Sequence, residues 1–216
     1  MHIEPGILSA TKVLGANAAA LSTLASQVPG LARRPLDAVK ALLAAGCFSL
    51  LMQLWHTPVG PSELHLIGAS AIYFTFGFLP TLFGFAIGLL LQGLLFEPQD
   101  LLHLGVNSLS LMLPLIAAHG LVGRDQLKLA PEAVRWTSVL RFDAVYYGGV
   151  VAMVGFWLAL GQEPTPFASW LAFAFSYVPL ILCEPALTCG VLALIGRLDP
   201  RGALRRLTPY AGTAVA

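Results

Sequence analysis

Seven stretches of this chain are too long and too apolar for a fold surrounded by water. They cover residues 7–28, 36–55, 65–79, 81–96, 101–122, 139–160 and 167–195, run 15 to 29 residues, and hold few charges. A bilayer core of roughly 30 Å takes about 20 helical residues to cross. Hydrophobic residues make up 57% of the 216 and charged residues 11%, where ordinary soluble domains carry about 45–50% and about 25%. The expected fold is an all-α membrane protein of about seven transmembrane helices. It forms one multi-pass membrane domain over residues 1–200, opened by a short segment 1–9 and closed by a basic tail, 201–216.

The third and fourth stretches are short, and Pro80 is the expected boundary between them. Were 65–96 a single kinked span, every later segment would be inverted. The excess of Lys and Arg in cytoplasmic loops decides between the two readings. Seven spans with the N-terminus outside place Arg33, Arg34 and Lys40, then Arg124, Lys128, Arg135 and Arg141, then Arg197, Arg201, Arg205 and Arg206 on the cytoplasmic face. Only Lys12 is left outside. Six spans would put the Arg124 to Arg141 group outside. The expected topology is therefore N-terminus extracytoplasmic and C-terminus cytoplasmic.

The outer connections then hold Glu4, His56, Glu63, Glu97, Asp100 and Glu163, with His2, His65 and His103 at helix mouths. Small residues at Ala16-xxx-Ala20, Ala41-xxx-Ala45 and Gly84-xxx-Gly88 let helix backbones approach in lipid, and internal packing is the expected use. Cys47, Cys183 and Cys189 all lie in apolar stretches, where a free thiol behaves as a small hydrophobe. Neither a disulfide framework nor a CxxC metal site is expected. The opening residues carry no Lys or Arg, so a secretory signal peptide is not expected. A net charge of +1 gives no basic stripe for nucleic acid. HExxH, GxSxG and P-loop patterns are absent from the sequence, so any ATP-driven step belongs to another subunit.

Chemistry concentrates at the start. A free α-amine, the amide nitrogen of residue 2 and Nδ1 of His2 can close a five-membered and then a six-membered chelate ring, three nitrogens in one plane. One more imidazole completes a square, a geometry suited to Ni(II) or Cu(II), with cobalt a plausible relative. Pro5-Gly6 supplies a fixed φ and then a permissive one, as a turn into the first helix requires. His65 is the leading candidate for the fourth nitrogen, because it opens the third stretch on the outer face. His56 and His103 are the reserves, and His119 lies toward the cytoplasmic end. Gln92, Asn107 and Glu184 lie inside spans, where a polar group is a functional candidate by default. For Glu184 a structural hydrogen-bond knot stands beside direct ion contact. Asp143 reads as an inner-face ion pair with Arg141.

Met1-His2-Ile3-Glu4-Pro5-Gly6-Ile7-Leu8-Ser9 resembles the Met-His-Ile-x-x-Gly-Phe-Leu-Ser opening of the CbiM/NikM family. These are the nickel and cobalt substrate-binding components of energy-coupling-factor ABC transporters. Ser62-Glu63-Leu64-His65-Leu66-Ile67-Gly68 is similar to the family's Thr-Ser-Gly-His-Leu-x-Gly, Leu104-Gly105-Val106-Asn107 to its Leu-Gly-Ala-Asn, and Cys183-Glu184-Pro185-Ala186-Leu187-Thr188 to its Gly-Glu-Ala-x-x-Thr. The resemblance implies a subunit for divalent transition-metal uptake in the bacterial cytoplasmic membrane. It implies metal ligands at Met1, His2 and His65, and partners in a transmembrane coupling subunit and cytoplasmic ATPases. Glu63, Asn107 and Glu184 are then candidates around the site or along the metal's path. Glu63-Leu64 departs from the family's Ser-Gly and brings a carboxylate near the site. Nickel or cobalt is the implied cargo, and the carboxylate leaves room for zinc or copper. A stand-alone permease, or a membrane enzyme or assembly factor using Glu184 and Asn107, are the alternatives.

Overall fold

A computed structural model describes residues 6–59, 62–129, 133–198 and 208–209. Its helices are α1 (Ala10–Ala32), α2 (Pro35–Leu54), α3 (Ala69–Phe76), α4 (Phe78–Leu95), α5 (Leu104–Ala118), the single turn α6 (Arg124–Gln126), α7 (Trp136–Ala159), α8 (Phe167–Ser176) and α9 (Val178–Leu198). A 3-10 turn, Pro98–His103, leads into α5, and a π turn, His119–Gly123, joins α5 to α6. A two-stranded antiparallel hairpin, β1 (His56–Val59) and β2 (Ser62–His65), stands between α2 and α3. The fold is that of an all-α membrane protein carrying one small hairpin.

Among the described residues, five helical runs are long and apolar enough to cross a bilayer: Pro35–Leu54, Phe78–Leu95, Pro98–Gln126, Trp136–Ala159 and Phe167–Arg197. The 23 residues of α1 reach about 34 Å at 1.5 Å per residue. Its hydroxyls Ser22 and Thr23 donate back to the Ala18 and Ala19 carbonyls at 2.8 and 2.9 Å, so neither of them needs water. Large apolar side chains point outward around the bundle, with Leu50 73% and Phe175 70% exposed. Patches of this kind drive association in water and are solvated by acyl chains in lipid. The largest fully buried side chains are aromatic, among them Tyr73, Phe74, Phe85, Phe142, Tyr146, Tyr147 and Tyr177.

The third segment departs from expectation. His65 ends a β-strand instead of opening a helix, and α3 has only 8 residues, about 12 Å. The break before α4 falls at Gly77, whose φ of +91° no side-chain-bearing residue adopts cheaply. Pro80 sits inside the first turn of α4, where its missing N–H would have had no helical partner. Residues 66–77 nonetheless pass from one end of the bundle to the other. The hairpin hangs from the end of α2, while Gly77 meets the start of α2 in a cavity of about 680 Å³ lined also by Arg33, Arg34, Asp37 and Lys40. A partly extended crossing survives in lipid only when protein surrounds it, and Ala69 through Phe74 are buried.

The small-residue motifs pack internally. A Cβ on Gly84 would lie 2.6 Å from the Ala44 Cβ, and one on Gly88 would lie 2.4 Å from Cδ1 of Phe48, so α2 and α4 touch backbone to backbone. Gln92 belongs to this seam. It donates to the Ser49 carbonyl at 2.9 Å and accepts from Gln53 at 2.8 Å, which makes it a helix fastener.

The bundle has two chemically different ends. Arg33, Arg34, Lys40, Arg124 and Lys128 line the one cavity described above, together with His119. At the other end, the Gln162 N–H donates to the Ile7 carbonyl at 2.9 Å and the Lys12 ammonium donates to the Leu160 carbonyl at 2.6 Å. The start of the described chain is thereby fixed beside the α7–α8 connection. The hairpin packs against α8 at the same end.

Candidate metal centre

Extended geometry through 56–59 and 62–65 sets the hairpin register, which pairs His56 with His65 and Pro58 with Glu63. Cross-strand partners stand on one face, and the two imidazoles stack with ring centroids 5.7 Å apart. Within β2, Glu63 and His65 are two residues apart and share a face. Their Oε2 and Nε2 atoms lie 3.1 Å apart. His65 is 3% exposed and Ser62 1%. A carboxylate holding one imidazole nitrogen fixes the ring's orientation and raises its basicity as a ligand.

Met1 and His2 lie outside the described residues. The chain enters them from Gly6, whose carbonyl accepts from the Gln162 amide at 3.3 Å. Their point of departure is thus at the hairpin's end of the molecule. His103 and Asp100, on the 3-10 turn, are buried. His119 belongs to the opposite end, stacked on Phe78 at 4.1 Å with its ring nitrogen 2.6 Å from the Tyr73 hydroxyl.

One step inward from His65 lies a second polar constellation. Gly68, at φ +65°, turns the chain from β2 into α3 and leaves the first N–H groups of that helix at membrane depth. Glu184 meets them from α9: its Oε1 accepts from the Ala69 N–H at 3.1 Å and from the Tyr147 hydroxyl at 2.5 Å, and the Gly68 N–H also donates to the carboxylate. Asp143, from α7, accepts from the Ser70 hydroxyl at 3.0 Å, and Ser70 exchanges a hydrogen bond with Thr188 at 2.7 Å. The remaining oxygens, Oδ1 of Asp143 and Oε2 of Glu184, are buried with no hydrogen-bond partner among the described residues.

The inner-face pairing of Asp143 with Arg141 does not occur. Residues two apart on a helix face different sides, so Arg141 is exposed while Asp143 turns into the core. Asn107 is buried on α5, but Glu184 takes its partners from α3 and α7. Sequence reasoning missed the roles of Asp143, Ser70, Thr188 and Tyr147. The available signal was two acids within spans, each too deep for water.

A model of the family described as cobalt uptake substrate-specific transmembrane region, CbiM, matches residues 2–202. A Haemophilus influenzae protein assigned by name to metal transport is 28% identical over 206 residues, covering 93% of this chain and 95% of the relative. The crystal structure of a transition metal transporter matches with a TM-score of 0.72 at 20% identity, over 95% of this chain and 97% of the other. A truncated transition metal transporter gives 0.68, also at 20% identity, over 92% and 99%.

Proposed function

The chain belongs to the CbiM family of cobalt-uptake substrate-specific transmembrane regions, and we propose that it captures a divalent transition metal, nickel or cobalt, at its extracytoplasmic face. The α-amine of Met1, the amide and imidazole nitrogens of His2 and the imidazole of His65 form the ligand set, with Glu63 beside them. The observation that carries this reading is His65. It is buried, stacked on His56 and held by Glu63, at the end of the bundle where Gly6 and Ile7 are tied down. A chelate at a chain end needs such a fixed imidazole to close its square.

The basic cavity lies at the far end, which supports an N-out, C-in arrangement across a bacterial cytoplasmic membrane. The membrane domain spans residues 1–200, and the tail 201–216 is cytoplasmic. The role is transport, with energy supplied by a transmembrane coupling subunit and cytoplasmic ATPases. Zinc and copper are competing cargoes that Glu63 helps to admit.

Metal content of detergent-purified protein equilibrated with Ni(II) or Co(II) tests the ligand set. One residue added before Met1 removes no side chain but alters both chelate rings, so bound metal should fall sharply. His65→Ala should lower it as well, and combining the two changes should cost little more than the worse one, since the donors share a single ion. Stoichiometric, equally tight metal in the extended protein would rule the amine out.

A further inference from the structure

We propose that Asp143 and Glu184 form a proton-binding site in the membrane core, holding one exchangeable proton between Oδ1 of Asp143 and Oε2 of Glu184. The geometry assigns every other atom of the pair. Oε1 of Glu184 is taken by Ala69 and Tyr147, and Oδ2 of Asp143 by Ser70. Among the described residues, nothing else donates to the buried oxygens Oδ1 and Oε2. The consecutive residues Ala69 and Ser70 hold the two acids side by side, so Oδ1 and Oε2 are the oxygens each has left to share with the other. Two carboxylate oxygens cannot hydrogen-bond without a proton on one of them.

A metal ion would need further ligands, and among the described residues no third His, Cys, Asp or Glu joins the pair to supply them. The occupant that fits is the proton. It resides on Asp143, since Glu184 already receives the Gly68 and Ala69 N–H groups and the Tyr147 hydroxyl, a donor set suited to an anion at a helix N-terminus. The chain of donors then runs in one direction: Thr188 to Ser70, Ser70 to Asp143, Asp143 to Glu184.

The groups facing the pair are few. Tyr146 and Tyr147 come from α7, Tyr177 from the α8–α9 junction, Cys189 from α9, and Ser70 with the backbone of Gly68 and Ala69 from α3. Among the described residues no Lys, Arg or His neutralises either acid. The buried hydroxyls of Tyr146 and Tyr177 have no hydrogen-bond partner among the described residues. Both lie near enough to feel the charge on Glu184, and they offer a leaving proton its next oxygen. The transfer is acid–base only: the O–H bond of Asp143 breaks, its electrons stay on Oδ1, and the proton passes to a hydroxyl oxygen and on to water.

A functional consequence follows from connectivity, and this half rests on the capture site proposed above. Residues 66–68 join His65 directly to the N–H donors that hold Glu184. Metal at His65 fixes one end of this short strap, and any shift of Gly68 or Ala69 changes how well Glu184 holds its negative charge. Metal and proton occupancy are then linked, and reciprocally so.

Infrared difference spectroscopy of the purified full-length protein tests both halves. At neutral pH the native protein should show a buried carboxylic-acid C=O stretch that shifts in heavy water. Asp143→Asn should abolish it while preserving the fold, because Asn accepts from Ser70 and donates to Glu184 as the acid does. Glu184→Gln should keep the band and move it. Absence of the band in the native protein, or its persistence in Asp143→Asn, would overturn the proton site. Nickel should perturb the band. A band unmoved while elemental analysis shows nickel bound would overturn the linkage alone. If nickel fails to bind, the capture reading falls and the band in the native protein and in Asp143→Asn still decides the proton site.

Discussion

Substituting Gly84 by Ala inserts a Cβ 2.6 Å from that of Ala44 and 3.2 Å from the Ala41 carbonyl oxygen. Carbon pairs rest at about 3.5–4.0 Å, so α2 and α4 must separate by roughly 1 Å at this turn. Both obstacles lie on or next to backbone and cannot rotate away. Overpacking of this kind costs about 1–3 kcal/mol. The usual gain from replacing a helical Gly, about 0.8–1.0 kcal/mol, shrinks in lipid, where the separated helices stay helical. A Cβ added at Gly46, on α2, would meet none of the described residues within 4 Å, so Gly46→Ala should fall between no change and a gain of about 1 kcal/mol. Gly88→Ala belongs between them, since its nearest obstacle is the Phe48 ring at 2.4 Å, which can tilt. The assay is recovery of monodisperse protein after heating steps in detergent. With roughly 2–4 °C per kcal/mol for a chain of this size, Gly84→Ala should melt several degrees below Gly46→Ala. Nickel per folded molecule should be unchanged in both, because Ala44 lies about 15 Å along α2 from the hairpin at 1.5 Å per residue. Equal melting of Gly84→Ala and Gly46→Ala would refute the close backbone contact.

Glu63→Gly should retain metal and change the ranking among Ni(II), Co(II) and Zn(II), as competition measured by elemental analysis will show; complete loss of binding would make Glu63 a ligand in its own right. On a cysteine-free background, single cysteines at positions 33 and 128 should react with an impermeant reagent only from the cytoplasmic side, and one at position 163 only from outside.

The order of the helices was legible because lipid imposes it: each apolar stretch must be long, and each basic group must gather at one end. The Gly84 and Gly88 spacing announced a close helix pair, and the distances to Ala44 and Phe48 bear that out. The hairpin was not legible. Its strands are four residues each, too short for a period-2 pattern to stand out beside long apolar runs, and Pro80 drew the helix boundary away from Gly77. The direction of Asp143 was missed for a different reason. Arg141 is its neighbour in sequence, and only a helix drawn in three dimensions shows the two side chains parting.

The two misses are connected. Had residues 65–79 formed one regular helix, all its interior N–H groups would have been paired within it, and an acid opposite them would have been an uncompensated charge in lipid. Because the hairpin consumes the first part of the segment, α3 starts at membrane depth and presents unpaired N–H groups there. Glu184 satisfies them, and α3 in turn supplies the partial positive charge that lets a carboxylate exist at that depth. Asp143 completes the arrangement from a third element, and Ser70, one residue into α3, holds it in place. The short helix, the hairpin that shortens it and the acid pair therefore form one device. The same chain segment carries His65 at its outer end, which puts the proposed metal ligand and the proposed proton site on a single strap of backbone.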